Sequence, residues 1–118
     1  MAHVTASALV SRMKVLSHPA SVDSMVTSAG TEDHVSMSTH ASEKALECAH
    51  QAARVVGIEL LIAMDALELR RPFTSGKRLE KILKSLRLEL PASKGDRVLS
   101  PEIENAARVI EEGLLANP

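Results

Sequence analysis

The sequence predicts an all-α fold, a segment of a long-helix bundle with about four helices, one of them very long and central. Three observations carry this. Apolar residues recur at helical spacing in four separate stretches. The apolar share, 45% of 118 residues, is Ala, Leu, Val, Ile and Met with one Phe and no Trp or Tyr, a composition of strong helix formers. A proline-free run over 32–70 is long enough for a rod of roughly 55 Å. The whole of 1–118 reads as a single helical unit.

The first helix spans Ala2–Leu16, with Leu9, Met13 and Leu16 on one face. Met1 leads straight into the periodic pattern with no room for a cap, the look of a chain that begins inside a longer element. Residues 17–31 (SHPASVDSMVTSAGT) hold Ser, Thr, Ala, Pro and Gly without a sustained period and read as a loop. Irregular segments of that length are more often functional than not, and a plain linker would waste Val22, Met25 and Val26 on water.

Thr31 or Asp33 can cap the next helix, which runs over 32–70. Ala41, Ala45, Cys48, Ala49 and Ala52 form a small-residue stripe along its first half. Residues 55–69 are apolar on most sides, broken by Gly57, Glu59, Asp65 and Glu68, which is the pattern of a helix buried by neighbours. A chain this short cannot cover such a rod, so partners are expected. Pro72 ends the helix. Thr74 and Ser75 can cap a third helix over 76–90, with Leu79, Ile82, Leu83, Leu86 and Leu90 on one face against Lys77, Lys81, Lys84 and Arg87. Ser100, Pro101 and Glu102 open a fourth over 101–114, carrying Ile103, Ala107, Ile110 and Leu114 on one side.

Fourteen basic and fifteen acidic side chains nearly cancel, which argues against a nucleic-acid footprint. The longest apolar stretch, 55–64, is interrupted by Glu59 and is too short to span a bilayer, so no membrane role is expected. A lone cysteine, Cys48, fits a cytoplasmic location. It reads as a buried apolar filler on the small-residue face rather than a nucleophile, since His50 points to another side of the helix. His34, His40 and His50 lack the spacing that brings ligands together on a helix, and there is no HExxH string, so no metal site is expected.

The run HPASVDSMVTSAGTEDHVSM over 18–37 resembles a stretch of the aromatic amino-acid ammonia-lyases, closest to the C-terminal segment of the histidine-specific members, which reads HPASVDS, a few variable positions, then EDHVSM. The likeness extends upstream through Val4-Thr5-Ala6 and Ala8-Leu9-Val10-Ser11. Downstream it continues through Ile58-Glu59-Leu60-Leu61, Ala66-Leu67 and Leu69-Arg70 to the tail Asp96-Arg97-Val98-Leu99-Ser100-Pro101-Glu102-Ile103-Glu104. The resemblance implies a bundle in which four complete subunits pack their helices, with active sites where subunits meet. It implies an activity that converts an aromatic amino acid, histidine first, to its unsaturated acid (urocanate from L-histidine) and ammonia. It also implies an electrophile, a methylidene-imidazolone made from an internal Ala-Ser-Gly triad, and no external cofactor.

The sequence departs from that family at several points. No Ala-Ser-Gly occurs in the 118 residues: Ser28-Ala29-Gly30 has the wrong order, and Thr74-Ser75-Gly76 stands in another context. There is no tyrosine to serve as the family's catalytic tyrosines. The resemblance therefore implies a chain that is not active alone and that works with the missing N-terminal lyase portion or with full-length lyase subunits. A non-catalytic helical module that docks on a lyase, or self-associates, is the alternative.

Glu32 matches the glutamate that contacts the substrate or departing amine in the histidine-specific members. On spacing alone it reads instead as an acid stabilising the first turn of a helix. Thr31, His18, Asp23, Ser24 and His34 are expected to bind substrate or to orient the loop through hydrogen bonds. Gly30 and Thr31 stand where many histidine lyases have asparagine and glutamine, and Arg12 stands where a glutamate is usual.

Overall fold

The computed structural model describes residues 1–92 and 95–113. Among them are four α-helices and no strand: α1 (Ala2–Leu16), α2 (Ser38–Leu69), α3 (Lys77–Glu89) and α4 (Ser100–Glu111). None of these helices is long and apolar enough to cross a membrane.

The axis is α2, whose 32 residues make a rod of roughly 48 Å. Its inner face carries Ala53, Gly57, Ile58, Leu61 and Met64, all buried. Apart from the adjacent Gly57 and Ile58, these sit three or four apart, the spacing that keeps side chains on one face. Leu83, Leu86 and Leu90 from α3 and its end, and Ile103, Ala106 and Val109 from α4, close over that face to make the core. Each of the larger side chains, Ile, Leu, Val or Met, contributes on the order of 1.5–3 kcal/mol when removed from water. Ala2, Ala6 and Leu9 of α1 pack on the same cluster from outside.

Both α1 and α4 run antiparallel to α2. On α4, Glu104 pairs with Arg54 and Glu111 meets His50 across a 2.7 Å hydrogen bond. On α1, Arg12 pairs with Glu47 at 3.1 Å. That contact gives the departure at Arg12 a physical role: it ties α1 to α2 where the family's usual glutamate would face Glu47 with like charge. The two helices approach tightly at Gly57, where an added Cβ would lie 3.1 Å from both Ala106 Cβ and Ala107 N.

Three helix starts differ from the expectation. The long helix begins at Ser38 instead of 32, with neither Thr31 nor Asp33 as its cap. The cause lies in the preceding hydrogen bonds. Thr27 and Glu32 pair main chain to main chain, and the Val35 N–H donates to Ser24 Oγ at 3.0 Å, so residues 32–37 are kept out of the helix. At α3 the hydroxyls of Thr74 and Ser75 do not cap the helix. The Glu80 carboxylate accepts the Ser75 N–H at 2.8 Å while Arg71 grips it with two further bonds. At α4, Ser100 and Pro101 lie inside the first turn, and Glu102 there is held by Arg97 at 2.7 Å. Leu114, the expected last residue of that helix, lies outside the described residues.

The core fills only one side of the rod. Val56, Ile62 and Leu69 on α2 remain 47%, 52% and 87% exposed, so the all-round apolar pattern of 55–69 is only half satisfied within this chain.

Candidate functional site

The site is built on the loop 17–37, which leaves the end of α1 and returns to the start of α2. Three ties give it shape. At its base the Lys44 ammonium of α2 donates to the His18 carbonyl. In its middle, Ser24 Oγ accepts the Val35 N–H and joins the two limbs. At its tip, Thr27 and Glu32 exchange main-chain bonds of 3.0 and 3.4 Å, and the Thr27 hydroxyl donates to Glu32 Oε2 at 3.0 Å.

Between Thr27 and Glu32 the chain turns through Ser28, Ala29 and Gly30 with φ of 54°, 54° and 88°. Three successive residues in the left-handed region is uncommon. It costs L-residues such as Ser28 and Ala29 about 1–2 kcal/mol each, and such strain persists where surrounding bonds over-determine it. Position 30 favours a residue that tolerates positive φ, and glycine and asparagine are among the residues that adopt it most readily. The replacement of the family's asparagine by Gly30 therefore preserves the turn.

The candidate residues fall into two groups. His18 and Asp23 line a cleft of about 560 Å³ at the loop base, together with Met37, His40, Glu43 and Lys44. Asp23 and His34 line a smaller one of about 280 Å³ on the other side, with Met37 and Ala41. Asp23 and Met37 thus line both shallow clefts. Glu32 and Thr31 are not in either cleft; they sit exposed at the tip. Of the residues expected to orient the loop through side-chain bonds, Ser24 does so. His18 contributes through its carbonyl, and among the described residues the side chains of His18, Asp23 and His34 make no hydrogen bond. Cys48 is half-buried and lines a third shallow cleft beside Leu16 and Ala45.

Glu32 lies six residues before the first turn of α2, so the reading of it as a helix-stabilising acid does not hold. Its carboxylate is an acceptor. One oxygen is engaged by Thr27, and no described residue bonds the other. A carboxylate held in this way can take an N–H from an ammonium or an imidazole, or accept a proton.

Two partners were not legible beforehand. Thr27, five residues before Glu32, carried a weak signal: the small residues Ser-Ala-Gly between them are suited to a tight reversal. Lys44 carried none, because its bond to the loop spans 26 positions.

Comparison with known proteins gives one consistent answer. The family model described as "Aromatic amino acid lyase" matches residues 1–88. The chain is 47% identical over 113 residues to a histidine ammonia-lyase of Rhodospirillum rubrum, covering 96% of this chain and 22% of that protein. It is 46% identical over 116 residues to a histidine ammonia-lyase of Aromatoleum aromaticum, covering 98% of this chain and again 22% of the relative. The crystal structure of histidine ammonia-lyase from Trypanosoma cruzi superposes with a TM-score of 0.87 at 40% identity, over 97% of this chain and 23% of that one. The chain therefore spans about a fifth of the length of the curated relatives it matches.

Proposed function

We propose that this chain, which belongs to the aromatic amino acid lyase family, acts as the C-terminal part of a cytoplasmic histidine ammonia-lyase-like enzyme converting L-histidine to urocanate and ammonia. The observation that carries the reading is Glu32. It stands at the tip of a loop tied at base, middle and tip, in the EDHVSM string that resembles the histidine-specific members, and its carboxylate has an oxygen available to a ligand.

In this reading Glu32 receives the imidazole or the amine of the substrate, or moves a proton at one of them. Thr31 flanks it at the tip. Ser24 keeps the loop limbs joined, while His18, Asp23 and His34 line the base of the loop. The exposed position of Glu32 leaves most of the substrate's surroundings to other chains or to other parts of the polypeptide, which is how a site at a subunit boundary is built. The electrophile also has to come from outside these residues. Ser28-Ala29-Gly30 is committed to the left-handed turn in the wrong order, and Ser75 of the Thr-Ser-Gly run donates its N–H to Glu80. The methylidene-imidazolone would supply the electron sink that lets the amine leave; these residues supply the recognition of what carries it.

The test is complementation. The chain is mixed with the remaining portion of a histidine ammonia-lyase and urocanate is followed by its ultraviolet absorbance. Turnover in the mixture, absent from either part alone and strongly reduced in Glu32→Ala, is the expected outcome. A verified complex that turns over equally well with Glu32→Ala would overturn the reading.

The exposed apolar side of α2 favours a second reading, a helical module that docks on a lyase without entering its chemistry. Binding to the lyase with activity indifferent to Glu32 would select it.

A further inference from the structure

Resting on the assignment of Glu32 to the substrate, we propose that Thr27 is the positioning residue for Glu32, and that the left-handed Ser28–Gly30 turn is the device that brings the two together. A glutamate on an exposed loop has three side-chain torsions to lose, and its carboxylate is ill-defined in space unless something holds it. Thr27 holds it from three directions. Its N–H donates to the Glu32 carbonyl at 3.0 Å, its carbonyl accepts the Glu32 N–H at 3.4 Å, and its hydroxyl donates to Oε2 at 3.0 Å.

The first two bonds fix the backbone and the third fixes the side chain. The third is a bond to an ionised acceptor, stronger than a neutral one. It occupies one oxygen, so the other is presented with a defined direction. Thr27 is half-buried while its neighbours on both sides, Val26 and Ser28, are exposed, so the hydroxyl is anchored on a residue that is itself partly packed.

The turn explains why the geometry needs this length of chain. Four residues separate Thr27 from Glu32, and three of them, Ser28, Ala29 and Gly30, take positive φ. The strain is tolerated because the Thr27–Glu32 bonds offset it. Thr27 touches no substrate in this account; it acts through Glu32.

Two measurements test this. The first needs no partner: side-chain couplings of Glu32 by NMR in the chain, in the wild type, Thr27→Ser and Thr27→Val. One dominant rotamer in the first two and averaging in Thr27→Val is expected, with the Val35 amide shift unchanged to show that the loop persists. Equal averaging in all three overturns the proposal.

The second is a double-mutant cycle in the assembled lyase. Thr27→Val is expected to lower kcat on the order of tenfold to a hundredfold and Thr27→Ser to restore it. In a Glu32→Ala background the Thr27→Val change should cost nothing more, because its route is already removed. Additive losses would mean that Thr27 does not act through Glu32. An assembly indifferent to Glu32→Ala, or inactive altogether, breaks the reading of Glu32 and leaves the NMR result to decide Thr27.

Discussion

Gly57 sets how closely α2 and α4 approach, and its substitution separates backbone propensity from packing. An alanine gains about 1 kcal/mol of helix propensity over glycine. Its methyl group must also push against Ala106 Cβ and the Ala107 backbone, both at 3.1 Å, with Ala106 fully buried. Gly57→Ala should therefore come out near neutral. Gly57→Val adds two methyl groups with nowhere to go and should cost about 1–3 kcal/mol, read as a lower urea midpoint with helicity retained. The candidate site shows the same limits of reading residue by residue. Glu32 and Ser24 stood out in the sequence because they belong to fixed strings. What Glu32 touches did not, because a hydroxyl five positions away becomes a partner only once three positive φ angles fold the chain back. Gly30 also looked like the loss of an amide from the site's edge. Its φ of 88° shows that position to be constrained by the backbone.

At the scale of elements, helices were legible where an apolar face is continuous, α1 at both ends, while the starts of the other three were not. Of the faces expected from periodicity, Leu83, Leu86 and Leu90 near α3 and Ile103 and Ala107 on α4 are buried, while Leu79 is exposed and the fully buried Val109 was not among the residues expected. The start of α2 was misplaced because a capping residue next to a periodic run is ambiguous while the competing bonds, Ser24 to Val35 and Thr27 to Glu32, are non-local. Side-chain ties then hold the elements at their ends. Hydrogen bonding from Arg54 lowers the Glu104 pKa below its ordinary range, and bonding from Arg71, with help from the Ser75 N–H, does the same for Glu80. A lowered carboxylate pKa means that the unfolded chain takes up protons first as pH falls. The stabilisation is fully present above the ordinary glutamate range near pH 4.3 and is lost as pH drops through the lower folded values. Thermal unfolding should thus be insensitive to these groups between about pH 5 and 7 and fall below about pH 4. Glu104→Gln should flatten part of that acid limb and cost at most about 1 kcal/mol at neutral pH, since the pair is largely solvent-exposed. Met64, 2% exposed at the centre of the cluster, is the opposite case. Met64→Ala should cost about 2–5 kcal/mol at any pH, whereas Leu88→Ala, at a side chain 81% exposed, should leave the denaturation midpoint where it is.

The whole molecule is a rod, not a ball, and its surface is too large for its length. Its radius of gyration is 20.0 Å, against about 13–14 Å for a compact domain of this length. Its extents are 71 × 31 × 20 Å. It exposes 8546 Å², whereas a compact monomer of this size exposes roughly 6,200 Å². Part of the difference lies on the side of α2 turned away from the core. There Ala45, Ala49, Ala52, Val56, Ala63 and Ala66 follow one another three, four or seven residues apart, all exposed, with Ile62 beside them. Small residues in such a row let a second helix approach closely, and the apolar area rewards it. The sequence pointed to this shortage of neighbours through the apolar pattern of 55–69, but it could not say which side the chain would cover for itself, because the pattern is apolar on both. The expectation follows for a double substitution, Val56→Glu with Ile62→Glu. Both side chains lie about half exposed and off the core, so helicity and the unfolding midpoint should stay close to those of the wild type. Assembly should not survive: charges placed on a surface that must be desolvated on contact leave unpaired carboxylates buried at the interface. Analytical ultracentrifugation of the chain with its complementing lyase portion distinguishes the outcomes. Loss of the complex with the fold intact assigns the outer face of α2 to the assembly. Undiminished assembly would place the contacts instead at the ends of the rod, where Phe73 and Leu69 are exposed.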